Sequence, residues 1–351
     1  MGGNIWPELT RRYSQTEYAG LERRLSGAVN AIFKQKVYHS IPYYRTKPDF
    51  GDIDFVLGIH DIPDWKERLI SGLNLEHFNK NGSVFSFVYE NIQADAITIT
   101  EPQLVQPAVD YFSYNDISNL IGRMAHRLGF KLGHTGTSIV IRDPENTVRI
   151  LDEIVISHDY SVGLDLLGLD IETYWAGFDT IPDMFEYVAS SPYFNTDIYL
   201  FDNRNHRSRI RDQKRQIYHA FLEWISTNNI RSNYDYSTVR DHGGHGIREP
   251  FFTMICDRIN ELEPDRDLRA EVDKVLSDAA ITKRFKHEYF NGDLVSQRTG
   301  LFGKELGQYM GRIRAHMAFP ITPIEQKYFM ELYQPEAGFE RLIGFEKQNE
   351  N

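Results

Sequence analysis

The feature that most constrains this chain is a short apolar segment that carries two aspartates one residue apart. Residues 51–57 read Gly-Asp-Ile-Asp-Phe-Val-Leu, a composition that predicts a buried β-strand. Side chains at alternate positions of a strand point to the same face, so Asp52 and Asp54 are expected side by side. Two adjacent carboxylates repel each other unless a cation lies nearby, and Mg²⁺ prefers such oxygen ligands. The segment therefore predicts a rigid metal-binding strand; a strand edge with two solvated aspartates is the alternative.

The residues before this strand add a second element of the pattern. Residues 36–40 read Lys-Val-Tyr-His-Ser and predict a short strand, and the loop at residues 41–50 holds two prolines and the cations Arg45 and Lys47. A strand that ends in a small hydroxyl residue, then a cationic loop, then a strand with Asp-x-Asp resembles the DNA polymerase β-like nucleotidyltransferase superfamily. The chain departs from that pattern at His39, where the family usually has glycine before the serine.

The resemblance implies a fold, a cofactor and a set of roles. The fold would be α+β, with an N-terminal nucleotidyltransferase α/β domain built on a mixed sheet and a mostly α-helical domain after it. Two Mg²⁺ or Mn²⁺ ions would be held by the aspartates, and a nucleoside triphosphate (NTP) would be the substrate. The nucleotide-binding residues implied by the resemblance are Ser40, His39, Arg45 and Lys47.

The family also needs a third carboxylate on a neighbouring strand. Residues 104–112, Leu-Val-Gln-Pro-Ala-Val-Asp-Tyr-Phe, are apolar and carry one acid, and residues 83–89 alternate in the manner of an adjacent strand. A carboxylate inside an apolar strand needs a partner or a metal. We therefore expect Asp110 to complete the metal and catalytic set with Asp52 and Asp54; a salt bridge or a place at a strand end is the alternative.

Composition narrows the class of protein. The chain has 351 residues, one cysteine and a net charge of −11. A single cysteine excludes a disulfide framework and a cysteine zinc site, so no zinc is expected. No apolar run approaches the roughly 20 residues that cross a bilayer, and no signal-peptide pattern begins the chain. We expect a cytoplasmic protein without a membrane partner, and the acidic balance argues against coating nucleic acid without regard to sequence.

One basic segment runs against that acidic balance. A helix through residues 203–224 would place its cations on one stripe, opposite an apolar face. The candidate RNA-binding residues on this stripe are Arg204, Arg207, Arg211, Lys214 and Arg215. A solvated helix face is the alternative to this phosphate track.

The remaining patterning predicts two domains, at residues 1–160 and 161–351. Amphipathic periodicity predicts a helix over residues 14–35, and helical patterns dominate after residue 160. The Gly-His-Thr-Gly-Thr run at residues 133–137 is expected to be a tight turn rather than a phosphate loop. His242 and His245 invite a metal interpretation but lack further ligands, so an exposed loop is favoured.

A second resemblance lies near the C-terminus. Residues 290–295 and 299–307 are similar to a helix-turn-helix segment of CCA-adding enzymes and bacterial poly(A) polymerases. Together the resemblances imply a Mg²⁺-dependent nucleotidyltransferase that moves a nucleoside monophosphate from an NTP to a hydroxyl, expected at a tRNA-like RNA 3′ end, and releases pyrophosphate. The alternatives are the same fold acting on a protein, a small molecule or a second nucleotide, a nucleotide-binding protein without catalysis, and a helical interaction protein without nucleotide chemistry.

Overall fold

The computed structural model describes residues 5–241, 246–316 and 318–349, and its strands and helices follow in chain order. The strands are β1 (Tyr13–Ser14), β2 (Tyr38–Ser40), β3 (Asp49–Phe50), β4 (Asp52–Gly58), β5 (Phe78–Asn81), β6 (Val84–Tyr89), β7 (Ile92–Ile99), β8 (Lys131–Gly133), β9 (Gly136–Asp143), β10 (Asn146–Ser157), β11 (Arg240–Asp241) and β12 (Arg248–Glu249). The helices are α1 (Gln15–Phe33), α2 (Trp65–Leu73), α3 (Val105–Phe112), α4 (Ile117–Leu128), α5 (Tyr160–Leu166), α6 (Ile171–Ala176), α7 (Ile181–Ala189), α8 (His206–Asp212), α9 (Gln216–Thr227), α10 (Phe251–Leu262), α11 (Leu268–Glu288), α12 (Gly292–Thr299), α13 (Gly303–Arg314), α14 (Pro323–Leu332) and α15 (Pro335–Asn349).

The chain divides into two compact units. The first consists of Met1–Val140, Val155–His242 and Ile247–Ile259, and the second of Ile141–Ile154, Gly243–Gly246 and Asn260–Asn351. This division differs from the boundary expected at residue 160. The segment just after that residue is bonded to earlier elements of the first unit: the Tyr174 hydroxyl donates to the Asp110 carbonyl of α3, and Arg45, in the loop before β3, pairs with Asp179.

A mixed five-stranded sheet forms the centre of the first unit. Its strand order is β2-β4-β7-β6-β5, with β4 and β7 parallel and the other neighbours antiparallel. The expectation of an α+β protein with a mixed sheet, followed by a mostly helical C-terminal part, is confirmed. The strands predicted at residues 36–40, 51–57 and 83–89 are the observed β2, β4 and β6.

The two faces of β4 have different coverings. Its residues Ile53, Phe55 and Leu57 pack into a core with the apolar faces of α1 and α2. Val56, on the opposite face, packs with Ala108 of α3. Helix α3 therefore covers the C-terminal half of this face. The N-terminal half, which carries Asp52 and Asp54, lies outside that apolar cluster.

The segment expected to be a strand at residues 104–112 is a helix, and that prediction is wrong. The structure has α3 at Val105–Phe112, preceded by a helical turn at Pro102–Leu104. The buried residues Leu104, Ala108 and Val109 recur at helical rather than alternating spacing, so one face of the segment packs on the sheet. A proline at the first helical position of the preceding turn is a further helix signal.

The glycine-rich run before β9 is the expected tight turn. Strands β8 and β9 pair antiparallel around it, with Gly133 opposite Gly136. Gly136 has a φ of +105°, and a β-carbon there would lie 2.2 Å from the Ser157 carbonyl oxygen, so only glycine fits.

The second unit has a helical core of its own. Aromatic and aliphatic side chains from α11 to α15 meet there, among them Phe285, Met310 and Phe339. The helix-turn-helix expected near residue 300 is present as α12 and α13, and Gly300 ends the first helix in the left-handed conformation, with a φ of +71°. The His242 and His245 pair lies outside the described residues. Across the described parts of the chain, no helix is both long and apolar enough to cross a lipid bilayer.

Candidate metal centre

Three carboxylates meet on the open half of the β4 face. Asp52 and Asp54 project from β4, and the parallel register places Asp95 of β7 directly beside Asp54. One carboxylate oxygen from each of the three residues lies within 4.8 Å of the others. The expected convergence of Asp52 and Asp54 is therefore confirmed, because alternate positions of one strand share a face.

Electrostatics at this cluster reflect the crowding of like charges. Burial and the neighbouring charge of Asp95 raise the pKa of Asp52. Crowding by protein atoms and the charges of Asp52 and Asp95 raise the pKa of Asp54 well above its ordinary value. Because Asp54 is exposed to solvent, we attribute its raised pKa mainly to repulsion by the charges of Asp52 and Asp95.

Gln93 holds the Asp95 carboxylate in place. Its side-chain amide donates to both Asp95 oxygens, at 3.1 and 2.9 Å, while its own carbonyl oxygen accepts from the backbone N–H of Ile5 at 3.0 Å. Gln93 is only 4% exposed, so its orientation is fixed by packing as well as by hydrogen bonds. A carboxylate positioned in this way is a preorganised ligand.

Lys47 is the cation next to the aspartates. Burial lowers the pKa of Lys47, and the charges of Asp52 and Asp54 act in the opposite direction. Its ammonium lies 4.4 Å from the centre of the Phe50 ring and 3.5 Å from the Asn115 side-chain oxygen. The charges of Asp52 and Asp54 act on Lys47, while its expected role in nucleotide binding stays a prediction.

The donor set fits a hard divalent cation. The cluster offers three carboxylates and contains neither sulfur nor imidazole. Oxygen-only ligands suit Mg²⁺ or Mn²⁺ rather than zinc. Asp52, Asp54 and Asp95 are the residues that would hold such an ion.

Asp110 does not belong to this cluster, and its assignment as the third carboxylate is corrected. It lies on α3, where its carboxylate accepts from the Gln106 side chain one turn earlier at 2.8 Å. Burial raises the pKa of Asp110, and the charge that adds to this effect is that of Asp159 rather than an aspartate of the cluster. The helix, rather than the expected strand, carries Asp110 away from β4.

The residues of β2 are split between the two faces of the sheet. Ser40 pairs with Phe55, on the face that packs against α1, while His39 pairs with Val56, on the face of Asp54. Burial raises the pKa of Glu22 on α1, and a side-chain hydrogen bond with Ser40 acts in the opposite direction. Burial and the charge of Lys36 lower the pKa of His39. The structure thus brings the His39 position, rather than Ser40, to the aspartate face.

Arg45 is engaged away from the aspartates. Its guanidinium pairs with the Asp179 carboxylate at 2.6 Å and donates to the carbonyls of Ala176 and Gly177. These bonds tie the loop before β3 to the end of α6. Of the two loop cations singled out in the sequence, only Lys47 lies at the carboxylate cluster.

The expected basic stripe is not one continuous helix. Arg204 precedes α8, and Lys214 and Arg215 fall in the break between α8 and α9. Arg204 and Arg211 pair with Asp212, and Arg215 pairs with Asp116, the residue that precedes α4. Arg207 and Lys214 remain exposed.

Asp95 is the functional candidate that the sequence reasoning missed. It sits in Ile92–Ile99, a segment with the composition of a buried strand and a single acid near its middle. A carboxylate inside an apolar strand needs a partner, and β7 is such a strand, whereas residues 104–112 form mostly a helix. The register with β4, which the sequence does not display, decides between the two.

Comparison with known proteins adds no relative to this description. No family model matches the sequence, and no curated protein matches it. The site is therefore interpreted from its own geometry.

Proposed function

We propose that the chain is a divalent-metal-dependent nucleotidyltransferase that moves a nucleoside monophosphate from an NTP to a hydroxyl acceptor. The observation that carries this proposal is the set of three carboxylates from two adjacent parallel strands, within 4.8 Å of one another. The Asp-x-Asp pattern after a short strand, which resembles the polymerase β-like superfamily, supports the same reading.

The residues of the site have distinct parts in this proposal. Asp52, Asp54 and Asp95 would hold Mg²⁺ or Mn²⁺, which when bound stabilises charge on the entering and leaving oxygens of an in-line displacement at phosphorus. Lys47 supplies a fixed positive charge at the edge of the cluster and would bind a phosphate oxygen of the triphosphate. Gln93 keeps Asp95 in its binding orientation.

The proposed acceptor is an RNA 3′ end. Its support is the helix-turn-helix of α12 and α13, which is similar in sequence to that of enzymes that extend RNA, and the exposed cations Arg207 and Lys214. A transferase that modifies a protein, a small molecule or a second nucleotide is the competing version, and it shares the same carboxylates.

The test is transfer of label from each α-labelled NTP, in Mg²⁺, with and without total RNA. Label on RNA supports the RNA acceptor, label on the protein or on a small product supports the competing version, and NTP binding without turnover refutes transfer. Asp52→Asn should abolish transfer, because an amide oxygen is a weak ligand for Mg²⁺.

A matched control removes a carboxylate outside the site. Asp61, in the loop after β4, has an 86% exposed side chain and a φ of 53°, a conformation that asparagine also tolerates. Asp61→Asn should leave transfer unchanged. Equal loss in both variants would show that the change in charge or in folding, rather than the site, causes the effect.

A further inference from the structure

A second cluster of charge lies in the first unit, with the opposite sign. Asp212, at the end of α8, is completely buried. Its carboxylate lies 2.7 Å from the guanidinium of Arg123 on α4, 3.0 Å from that of Arg204 and 3.3 Å from that of Arg211. Three cations thus share one anion, and two positive charges are left unbalanced.

The cluster also holds polar atoms that nothing in the described chain satisfies. Nε of Arg123 and Nε of Arg204 are buried and have no hydrogen-bond partner among the described residues, and the Arg204 side chain is only 7% exposed. The side-chain amide nitrogen of Asn119 is in the same condition, one turn before Arg123 on the same face of α4. Each such buried donor destabilises the folded chain while it stays unpaired.

The unpaired atoms specify the chemistry of what would complete the site. All three are N–H donors, so the missing group must accept hydrogen bonds, and the surplus of charge requires it to be an anion. A phosphate group offers several acceptor oxygens and matches the fork of donors on arginine. Arg211 is the member of the cluster that faces solvent, with a side chain that is 52% exposed.

We propose that Arg123, Arg204 and Arg211, with Asn119, form a phosphate-binding site around Asp212. The site does not depend on the proposed transferase function, since none of its residues belongs to the carboxylate cluster. The phosphate group has three sources to be distinguished: free phosphate, a nucleotide, and the backbone of a polynucleotide.

The experiment measures binding of inorganic phosphate to the full chain by calorimetry in EDTA, so that the carboxylate cluster takes no part. The wild-type chain should bind phosphate saturably. Arg204→Gln should weaken binding by about tenfold or more, which corresponds to about 1.4 kcal/mol or more. Asp212→Asn should tighten binding, because it removes the competing anion, whereas a purely structural ion-pair network gains nothing from that change.

Two further variants keep the proposal testable if buried substitutions prevent folding. Arg211→Gln alters a half-exposed side chain and should weaken phosphate binding several-fold. Arg209→Gln removes a partly exposed cation from the same helix and should leave binding unchanged. Absence of saturable phosphate binding, or equal affinity in the wild type and in Arg211→Gln, would overturn the site.

Competition then identifies the source of the phosphate. Displacement by ATP in EDTA, without displacement by an RNA oligonucleotide, assigns the site to a nucleotide. Displacement by the oligonucleotide alone assigns it to a polynucleotide, and displacement by neither assigns it to free phosphate. The Asp54→Asn variant should bind phosphate as the wild type does even if nucleotidyl transfer is refuted, so the two proposals fail independently.

Discussion

Replacing Asp54 with asparagine should stabilise the metal-free protein and abolish its response to magnesium. The carboxylate oxygens of Asp52, Asp54 and Asp95 lie within 4.8 Å of one another. At that separation two unit charges repel by about 0.9 kcal/mol in a water-like dielectric and by about 3.5 kcal/mol at an effective dielectric constant of 20. Because Asp54 is exposed to solvent, the water-like value applies, and its two neighbours together give about 1–2 kcal/mol.

The effect should depend on pH in a defined direction. Crowding by protein atoms and the charges of Asp52 and Asp95 raise the pKa of Asp54 in the folded chain above its ordinary value of 3.8. A group with a raised folded pKa stabilises the protein below its unfolded pKa, and that stability is lost as the pH rises through the folded pKa. The advantage of Asp54→Asn over the wild type should therefore be small near pH 4 and should grow as the pH rises through the folded pKa of Asp54.

The assay is urea unfolding in EDTA at several pH values, followed by the same series in MgCl₂. Wild type should gain stability with magnesium, since a ligand that binds only the folded state stabilises it. Asp54→Asn should gain none, and Asp110→Asn, which alters a carboxylate on α3, should respond to magnesium as the wild type does. Destabilisation of metal-free Asp54→Asn at pH 7, or a magnesium response equal to that of the wild type, would refute the reasoning.

Three further predictions concern activity and binding. Asp95→Asn should lower nucleotidyl transfer by at least about a hundredfold, because it removes a ligand of the metal, whereas Asp110→Asn should stay within a few-fold of the wild type; labelled-NTP transfer measures both. Lys47→Met should shift the midpoint of magnesium binding to higher pH, as titrations at several pH values would show, since loss of its charge raises the pKa values of the adjacent carboxyls further. Arg207→Glu combined with Lys214→Glu should weaken RNA binding and flatten its dependence on salt while NTP affinity is kept; an unchanged salt slope would contradict the phosphate track.

The sequence is sufficient to predict the central strand and the pair of aspartates on it. The alternation of Asp52 and Asp54 with buried apolar residues places both carboxylates on one face, whatever surrounds the strand. Strand β6 and helix α1 are likewise confirmed, because each has a strong period of its own. Local periodicity thus carries most of the fold class.

The third carboxylate could not be settled in the same way, because it depends on which strands are neighbours. Asp95 reaches Asp54 through the parallel pairing of β7 with β4, a contact between residues 41 positions apart. Composition alone makes the segment around Asp110 resemble a strand, whereas the spacing of Leu104, Ala108 and Val109 indicates a helix. The spacing of the buried apolar residues, rather than their number, therefore distinguishes a helix from a strand here.

The basic segment shows a different limit. Arg204 and Arg207 are separated by less than one helical turn in the sequence, yet their side chains differ in environment: the first is 93% buried beside Asp212 and the second is exposed. A stripe drawn on an ideal helix assumes that every cation faces solvent. Tertiary ion pairs override that assumption, and they cannot be read from the charge pattern.

The two charge clusters of the first unit place complementary demands on a ligand. Asp52, Asp54 and Asp95 require a cation, while the arginines around Asp212 require an anion. Helix α4 links the two regions: Asn115, just before its start, contacts Lys47 of the acidic cluster, and Arg123 lies eight residues further along. The helical part of this stretch, from Ile117 to Arg123, rises by about 9 Å. In a chain of net charge −11, association with a polyanion has to rely on such local surpluses of positive charge. A polynucleotide that contacts both the arginines around Asp212 and a metal ion held by the aspartates should therefore bind more tightly with magnesium than without it.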